Sequence, residues 1–345
     1  MLDHMKQGDR FGMALFDDVS YLAKPLTPVE STDMEAIKGH ILEIETSGGT
    51  NMEAGYTRGT ELFEQVTGAD PEEYENRIIF LTDAMPNTGD TSERSLLGMV
   101  ESNAASRVYT TFIGIGVDFN TTLIDALAKV RGSNYYSVHN EQEFKTRMDE
   151  EFEYMVTPLV FDLELNFSSE GYAIDAVYGS PEADQSTGVL MRVNTLFPSE
   201  SEGGQTKGGI ILLKLKRTGG PTKIELAASY KNRSGEGFTT RVSLDYDAEL
   251  DVAPNTGIQK AILLSRYVRL MKEWIAFERQ DIIVDPNLSE WEQNSTPLTV
   301  SEVYRTKMQT FLTAYKAEAD RIGDSTLDRE ADILETLIAW NPQDQ

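Results

Sequence analysis

The sequence has no cysteine among its 345 residues, which excludes disulfides, thiolate-bound metals and cysteine nucleophiles. It has three histidines, His4, His40 and His139, scattered without metal-ligand spacing, so surface or capping roles suit them better. No apolar run reaches the roughly 18 residues that cross a bilayer. The opening segment, MLDHMKQGDRFGMALF, has neither the basic start nor the apolar core of a signal peptide. Basic residues are also scarce. There are 31 Lys+Arg against 57 Asp+Glu, a net charge of -26. Such a surface repels phosphate backbones and anionic lipid heads, which argues against nucleic acid and membranes as partners. Divalent cations and basic protein patches remain compatible, and acidity also serves plain solubility.

Hydrophobic residues make up 40% of the chain and charged residues 26%, the composition of a globular protein. The length exceeds one ordinary core and predicts two or three domains. Three textures divide it. Residues 1–157 alternate strands and helices. RFGMALF (Arg10–Phe16) reads as a buried strand and Ser20–Pro25 as an edge strand stopped by Pro25 and Pro28. Thr32-x-x-Glu35 is a capping-box pattern, followed by Met34, Ile37, Ile41 and Ile44 at helical spacing. SGGTNMEAGY ends that helix and starts another near Asn51. Further strands are Arg77–Asp83, VYTTFIGIG and NYYSV, separated by helices over about 92–106 and 121–131 and closed by one over 141–155. This alternation predicts βαβ crossovers and a doubly wound, mostly parallel sheet, with ligands beyond the carboxyl ends of its strands. Residues 158–254 carry short alternating runs between Gly, Pro and Ser clusters, an antiparallel β-sandwich pattern. Residues 255–345 are helical; GIQKAILLSRYVRLMKEWIAFERQ is apolar on most of its surface and is expected to be buried between neighbours. Thr299-x-x-Glu302 is expected to cap the next helix, which carries Val303, Met308, Phe311, Leu312 and Tyr315.

Two loops are expected on one rim of the parallel sheet, Ser47–Asn51 and Leu81–Asn87. A hydroxyl and a carboxylate gathered at strand ends beside a helix N-terminus are hard oxygen ligands suited to Mg²⁺. Each loop also has an ordinary explanation: cap chemistry for Gly48-Gly49-Thr50-Asn51, and a turn for Asp83. Catalytic patterns are lacking. Gly114-x-Gly116 fails as a dinucleotide motif because Phe119 occupies the third glycine position. No Walker lysine or nucleophile-elbow serine occurs. Asp149, Glu150, Glu151 and Glu153 read as a solvated helix face, and Trp274 and Trp291 as packing residues. The chain reads as a binding protein and not an enzyme.

The order of elements and both loops together resemble the von Willebrand factor A family. SGGTNMEAGY is similar to that family's second metal loop, with Thr50 at the ligand threonine. RIIFLTDAMPN is similar to its third loop, with Asp83 at the ligand aspartate. GDRFGMALFDDV resembles its second strand, and TTFIGIGVDFNTTLIDALAKVRGSNYYSV its fifth strand, following helix and sixth strand. The three-part architecture also resembles bacterial relatives of inter-α-trypsin inhibitor heavy chains and calcium-activated chloride channel accessory proteins. The family's principal ligand loop, Asp-x-Ser-x-Ser after the first strand, has no counterpart. Asp18-Val19-Ser20-Tyr21-Leu22 lacks the second serine and follows the second strand, so that role is not carried onto it. The resemblance therefore implies an A-type domain without its first strand. Arg10–Phe16 and Arg77–Asp83 should then flank a gap or close against each other.

For function, the resemblance implies a protein-binding or adhesion module. In the intact protein, Mg²⁺ or another divalent cation would receive a carboxylate from a partner, with Gly48, Gly49, Asn51 and Asn87 on the surrounding rim. Two ligands where about six oxygens are wanted imply weak or absent metal binding by this chain alone. The alternative is a metal-independent scaffold using the β-rich and helical regions. The resemblance favours an extracytoplasmic location, at a bacterial cell surface or in the periplasm.

Overall fold

The computed structural model describes residues 1–45, 47–64, 73–83, 89, 93–116, 121–202, 205–206, 208–245, 255–280 and 298–340. They fall into two compact units. One comprises Met1–Phe167, Glu182–Gly208 and Glu225–Val242; the other comprises Ser168–Pro181, Gly209–Ile224 and Ser243–Gln345.

In the first unit, β3 (Asn76–Thr82), β4 (Val108–Ile115) and β5 (Asn134–Val138) form a parallel sheet in the order β3-β4-β5. The intervening α3 (Glu93–Ala105) and α4 (Thr121–Ala128) are the crossovers that parallel pairing demands. All of β4 except Ile115 is buried, because both faces are covered. On one face Ile78, Phe80 and Phe112 pack with Met52, Tyr56, Leu96 and Val100. On the other, Ile113 and Val138 pack with Met148, Phe152 and Met155. The closing segment is not one helix. It runs as α5 (Glu141–Lys145), a π turn over Thr146–Glu150, and α6 (Phe152–Val156).

The strands β1 (Arg10–Phe16) and β2 (Ser20–Pro28) form a separate antiparallel hairpin. Pro25 does not stop β2. The strand lies at an edge, and the register shifts beside Phe11 and Met13 accommodate it. The next helix, α1 (Met34–Leu42), is capped by Asp33, whose carboxylate accepts the Ala36 N–H at 3.0 Å. Thr32, the expected cap, instead donates its hydroxyl to Pro28 O. The helix stops before Ile44. α2 (Met52–Glu64) packs against β1, β2 and β3.

Between β1 and β3 lies a slot. The two strands belong to different sheets and are not side by side, so they flank a gap, one of the two outcomes the sequence predicts. Phe16 and Phe80 stack across it with ring centroids 5.0 Å apart. Not one residue of the apolar β1 is fully buried, and Leu81 of β3 is 37% exposed. That exposure contradicts the expectation of a buried first strand.

This unit also holds a four-stranded sheet in the order β13-β12-β6-β8, made of β6 (Val160–Ser169), β8 (Val189–Leu196), β12 (Lys223–Lys231) and β13 (Gly237–Asp245). Short β9 (Ser201–Glu202) and β10 (Gln205–Thr206) pair with each other. In the second unit β7 (Tyr172–Tyr178) pairs antiparallel with β11 (Leu212–Arg217). Among the described residues three helices complete it: α7 (Thr256–Glu278), α8 (Glu302–Ile322) and α9 (Asp328–Ala339). Only Ala261, Leu263 and Trp274 of α7 are fully buried, so this helix offers one packed stripe and is not enclosed. Thr299-x-x-Glu302 is not a capping box. Glu278 supplies the cap from α7, accepting the Ser301 N–H at 2.9 Å and the Thr299 hydroxyl, and Val303 is 57% exposed. The strands Ser20–Pro28 through Gly237–Asp245 and the helices thus give an α/β class with parallel, antiparallel and helical parts, as the sequence implies.

Candidate functional site at the strand-end rim

The site is built from three chain segments at the ends of β1 and β3. Asp17 and Asp18 form the turn that joins β1 to β2. Asp17 closes it through its N–H to Val19 O at 2.9 Å, and its carboxylate accepts the Val19 N–H at 3.0 Å and the Tyr21 hydroxyl at 3.1 Å. Donating to that carboxylate pushes the Tyr21 phenol pKa upward. Asp18 reaches the second segment, where its carboxylate accepts the Gly49 N–H at 3.1 Å.

Gly48 has φ +66°, and a Cβ there would lie 2.8 Å from Asp18 Oδ2 and 3.1 Å from Asp17 Cβ. The loop can sit on the two aspartates because Gly48 has neither a side chain nor a left-handed penalty. Asn51 completes the brace. Its N–H donates to Asp17 O at 2.7 Å and its Nδ2 to Asp18 O at 3.0 Å. Its Oδ1 accepts the Ala54 N–H at 3.0 Å, the bond that starts α2.

The third segment follows β3. Asp83 stands at the strand end, exposed to solvent. Gly89, with φ +75°, returns the chain to the rim: a Cβ there would meet Asn51 Oδ1 at 2.3 Å. Thr50 is half-buried within the loop. The structure thus gathers Gly48, Gly49 and Asn51 against Asp17 and Asp18, with Asp83 at the neighbouring strand end. Asn87 lies outside the described residues.

Residues 1–150 match the family model of the von Willebrand factor type A domain. Inter-alpha-trypsin inhibitor heavy chain H1 of Sus scrofa is 24% identical over 174 residues, which is 49% of this chain and 19% of that relative. Heavy chain H4 of Homo sapiens is 22% identical over 172 residues, 49% of this chain and 18% of the relative. The matched region therefore spans about a fifth of those curated relatives. Among solved structures, a von Willebrand factor type A protein from Catenulispora acidiphila aligns at a TM-score of 0.46 with 14% identity, covering 80% of this chain and 67% of that one.

Within the matched region, the fit to a cation can be tested on the donors present. The described residues hold no group of three or more His, Cys, Asp or Glu side chains able to hold a metal ion. Asp17 and Asp18 accept backbone and hydroxyl donors, and Thr50 and Asp83 would add two oxygens where a hard divalent ion wants about six. By themselves these residues do not make a cation site. The bracing role of Asp17 and Asp18 was not read from the sequence, although the signal was present. A hairpin turn that ends on the rim of a Gly-Gly loop, and carries two carboxylates, supplies the acceptors that the loop's N–H groups require.

Proposed function

We propose that this chain is a protein-binding module whose contact surface is the rim formed by Gly48–Asn51 and Asp83. The observation that carries the reading is the brace itself. Asp17, Asp18 and Asn51 hold an exposed loop at a strand-end rim, and rigid presentation of a loop is what a binding site requires. The type A match and the heavy-chain relatives support a role in protein–protein interaction or adhesion, and no described residues at the rim make a nucleophile–base pair.

The finer reading concerns the ion. Cation dependence arises when the slot between β1 and β3 is filled by one further parallel strand whose terminal loop adds oxygen ligands beside Thr50 and Asp83. The completed ion then receives a carboxylate from a partner protein, and it offsets the repulsion that a net charge of -26 would impose on an acidic ligand. We place the protein outside the cytoplasm, at a cell surface or in a periplasm, as the resemblance implies. No described helix is long and apolar enough to cross a membrane. A second reading, a scaffold that binds without any ion, is favoured by the lack of a metal-holding group among the described residues.

Titrating Mg²⁺ while following thermal unfolding separates the two. Binding at about a hundredfold excess over Kd contributes roughly 2.7 kcal/mol. The first reading expects such stabilisation in a version lengthened upstream through its own reading frame, and its loss in Asp83→Ala. Indifference of the lengthened chain to Mg²⁺ would leave the scaffold reading standing.

A further inference from the structure

The chain carries its charge unevenly. Residues 209–224 and 256–280 hold nine of its 31 Lys+Arg and two of its 57 Asp+Glu, against a net charge of -26 for the whole. These stretches contain β11 and α7, which pack against each other in the second unit. α7 buries Leu263 and Trp274 in clusters with Tyr304, Met308 and Tyr315 of α8. Its outward face is cationic. Arg266, Arg269 and Lys272 recur every three residues, so they share one side of the helix, and all three are exposed. Lys214 and Lys216 of β11 are also exposed, two residues apart and so on one face of the β7–β11 pair. Arg269 joins the two groups. It lies near enough to Lys214 to oppose the upward pKa shift that Asp175 imposes on that lysine.

Elsewhere Lys38, Arg192 and Lys316 each bond a carboxylate. Arg266, Lys272 and Lys216 have neither a hydrogen bond nor an ion pair among the described residues. Asp175, 2.5 Å from Lys214, and Glu273, 3.9 Å from Arg269, offset only part of the patch. Like charges gathered in this way repel one another, and an anionic ligand relieves the repulsion. We propose that the α7–β11 face docks a carboxylate-rich segment of a partner protein. Charge complementarity carries the inference, in a molecule whose surface is otherwise acidic. Val268, 45% exposed, stands one turn from Lys272 and adds an apolar contact. The segment that fits therefore interleaves acidic with apolar residues. Nucleic acid and anionic bilayers are extended, and would bring phosphates against the remaining acidic surface. A short segment meets the patch alone, because fields are screened beyond about 8 Å at physiological salt. The docking needs neither the strand-end rim nor an ion.

Fluorescence anisotropy of a labelled peptide of repeated Glu-Glu-Leu, with the whole chain and without divalent cations, tests this. Binding should appear at low salt, weaken as salt rises, and be absent for a Gln-Gln-Leu repeat. Arg266→Glu with Lys272→Glu should weaken it roughly tenfold. Neither side chain bonds a described neighbour, and Glu is as good a helix former as Arg or Lys, so the fold should persist. If that variant unfolds, Arg266→Gln with Lys272→Gln reads the same effect at about threefold. Lys6→Glu with Lys129→Glu, both exposed in the first unit, changes the net charge equally and should weaken binding less than about twofold. Equal losses in the two Glu variants would overturn the proposal, since only the overall field would then matter. So would tighter binding to phosphatidylserine vesicles or single-stranded DNA than to the peptide. Indifference of the unmodified chain to the acidic peptide overturns it too. Binding gained when Asp281, Asp285, Glu290 and Glu292 become amides would then name an acidic stretch of this chain as the occupant.

Discussion

At the scale of single residues, the rim depends on what Gly48 lacks and what Asn51 supplies. Gly48→Ala forces a side chain into a left-handed conformation and against the Asp18 carboxylate, 2.8 Å from the new Cβ. The expected loss is about 1–3 kcal/mol, read as a lower urea midpoint with an unchanged slope. An unaltered midpoint would mean that the loop is not seated on Asp18. Asn51→Ala removes the cap of α2 and the bond to Asp18 O together, and should cost about 1 kcal/mol or more in the same measurement. Asp324, in the second unit, gives a pH signature. The Lys260 ammonium, then Thr326, hold its pKa down from 3.8 to about 2. A carboxylate depressed in the folded state adds stability above its unfolded pKa and loses it as pH falls through the folded one. The second unit should therefore weaken between about pH 4 and pH 2, a slope that Asp324→Asn should flatten in acid titrations of thermal stability.

At the scale of elements, Arg77 ties β3 to its neighbours. Its side chain, 5% exposed, donates to Thr111 Oγ1 at 2.9 Å, Gly132 O at 3.0 Å and Glu75 at 3.0 Å, and Arg233 reaches the same Glu75 at 2.7 Å. Burial lowers the guanidinium pKa, and Glu75 opposes that shift. Glu75→Ala strands a buried cation and should destabilise by about 3–5 kcal/mol; a loss below 1 kcal/mol would show that solvent reaches Arg77. Much of this level was legible in the sequence. The strands Arg10–Phe16 and Asn134–Val138 stand where hydrophobic runs placed them, because short apolar runs between turn residues leave few alternatives. Helix starts were less legible. Asp33 took the cap expected of Thr32, and Glu278 capped α8 from a helix distant in sequence. A cap is a choice among several nearby oxygens, and tertiary contacts decide it. The apolar α7 misled for a related reason: composition records which residues are apolar, not how many neighbours arrive to cover them.

At the scale of the whole molecule, the resemblance to type A domains gave the order of elements and the position of the loops, while the Asp17–Asp18 brace emerged only from the way the β1–β2 turn meets Gly49. The slot carries the account. β1 and β3 are unpaired with each other, the apolar residues of β1 are only half-buried and Leu81 of β3 is exposed, where a doubly wound sheet would bury them. Hydrogen–deuterium exchange along the strands tests this most directly. In this chain, the slot-facing amides of β1 and β3 should exchange far faster than those of β4. Strong protection of β1 and β3 in the present chain would contradict the account, because it would mean that the two edges are already paired.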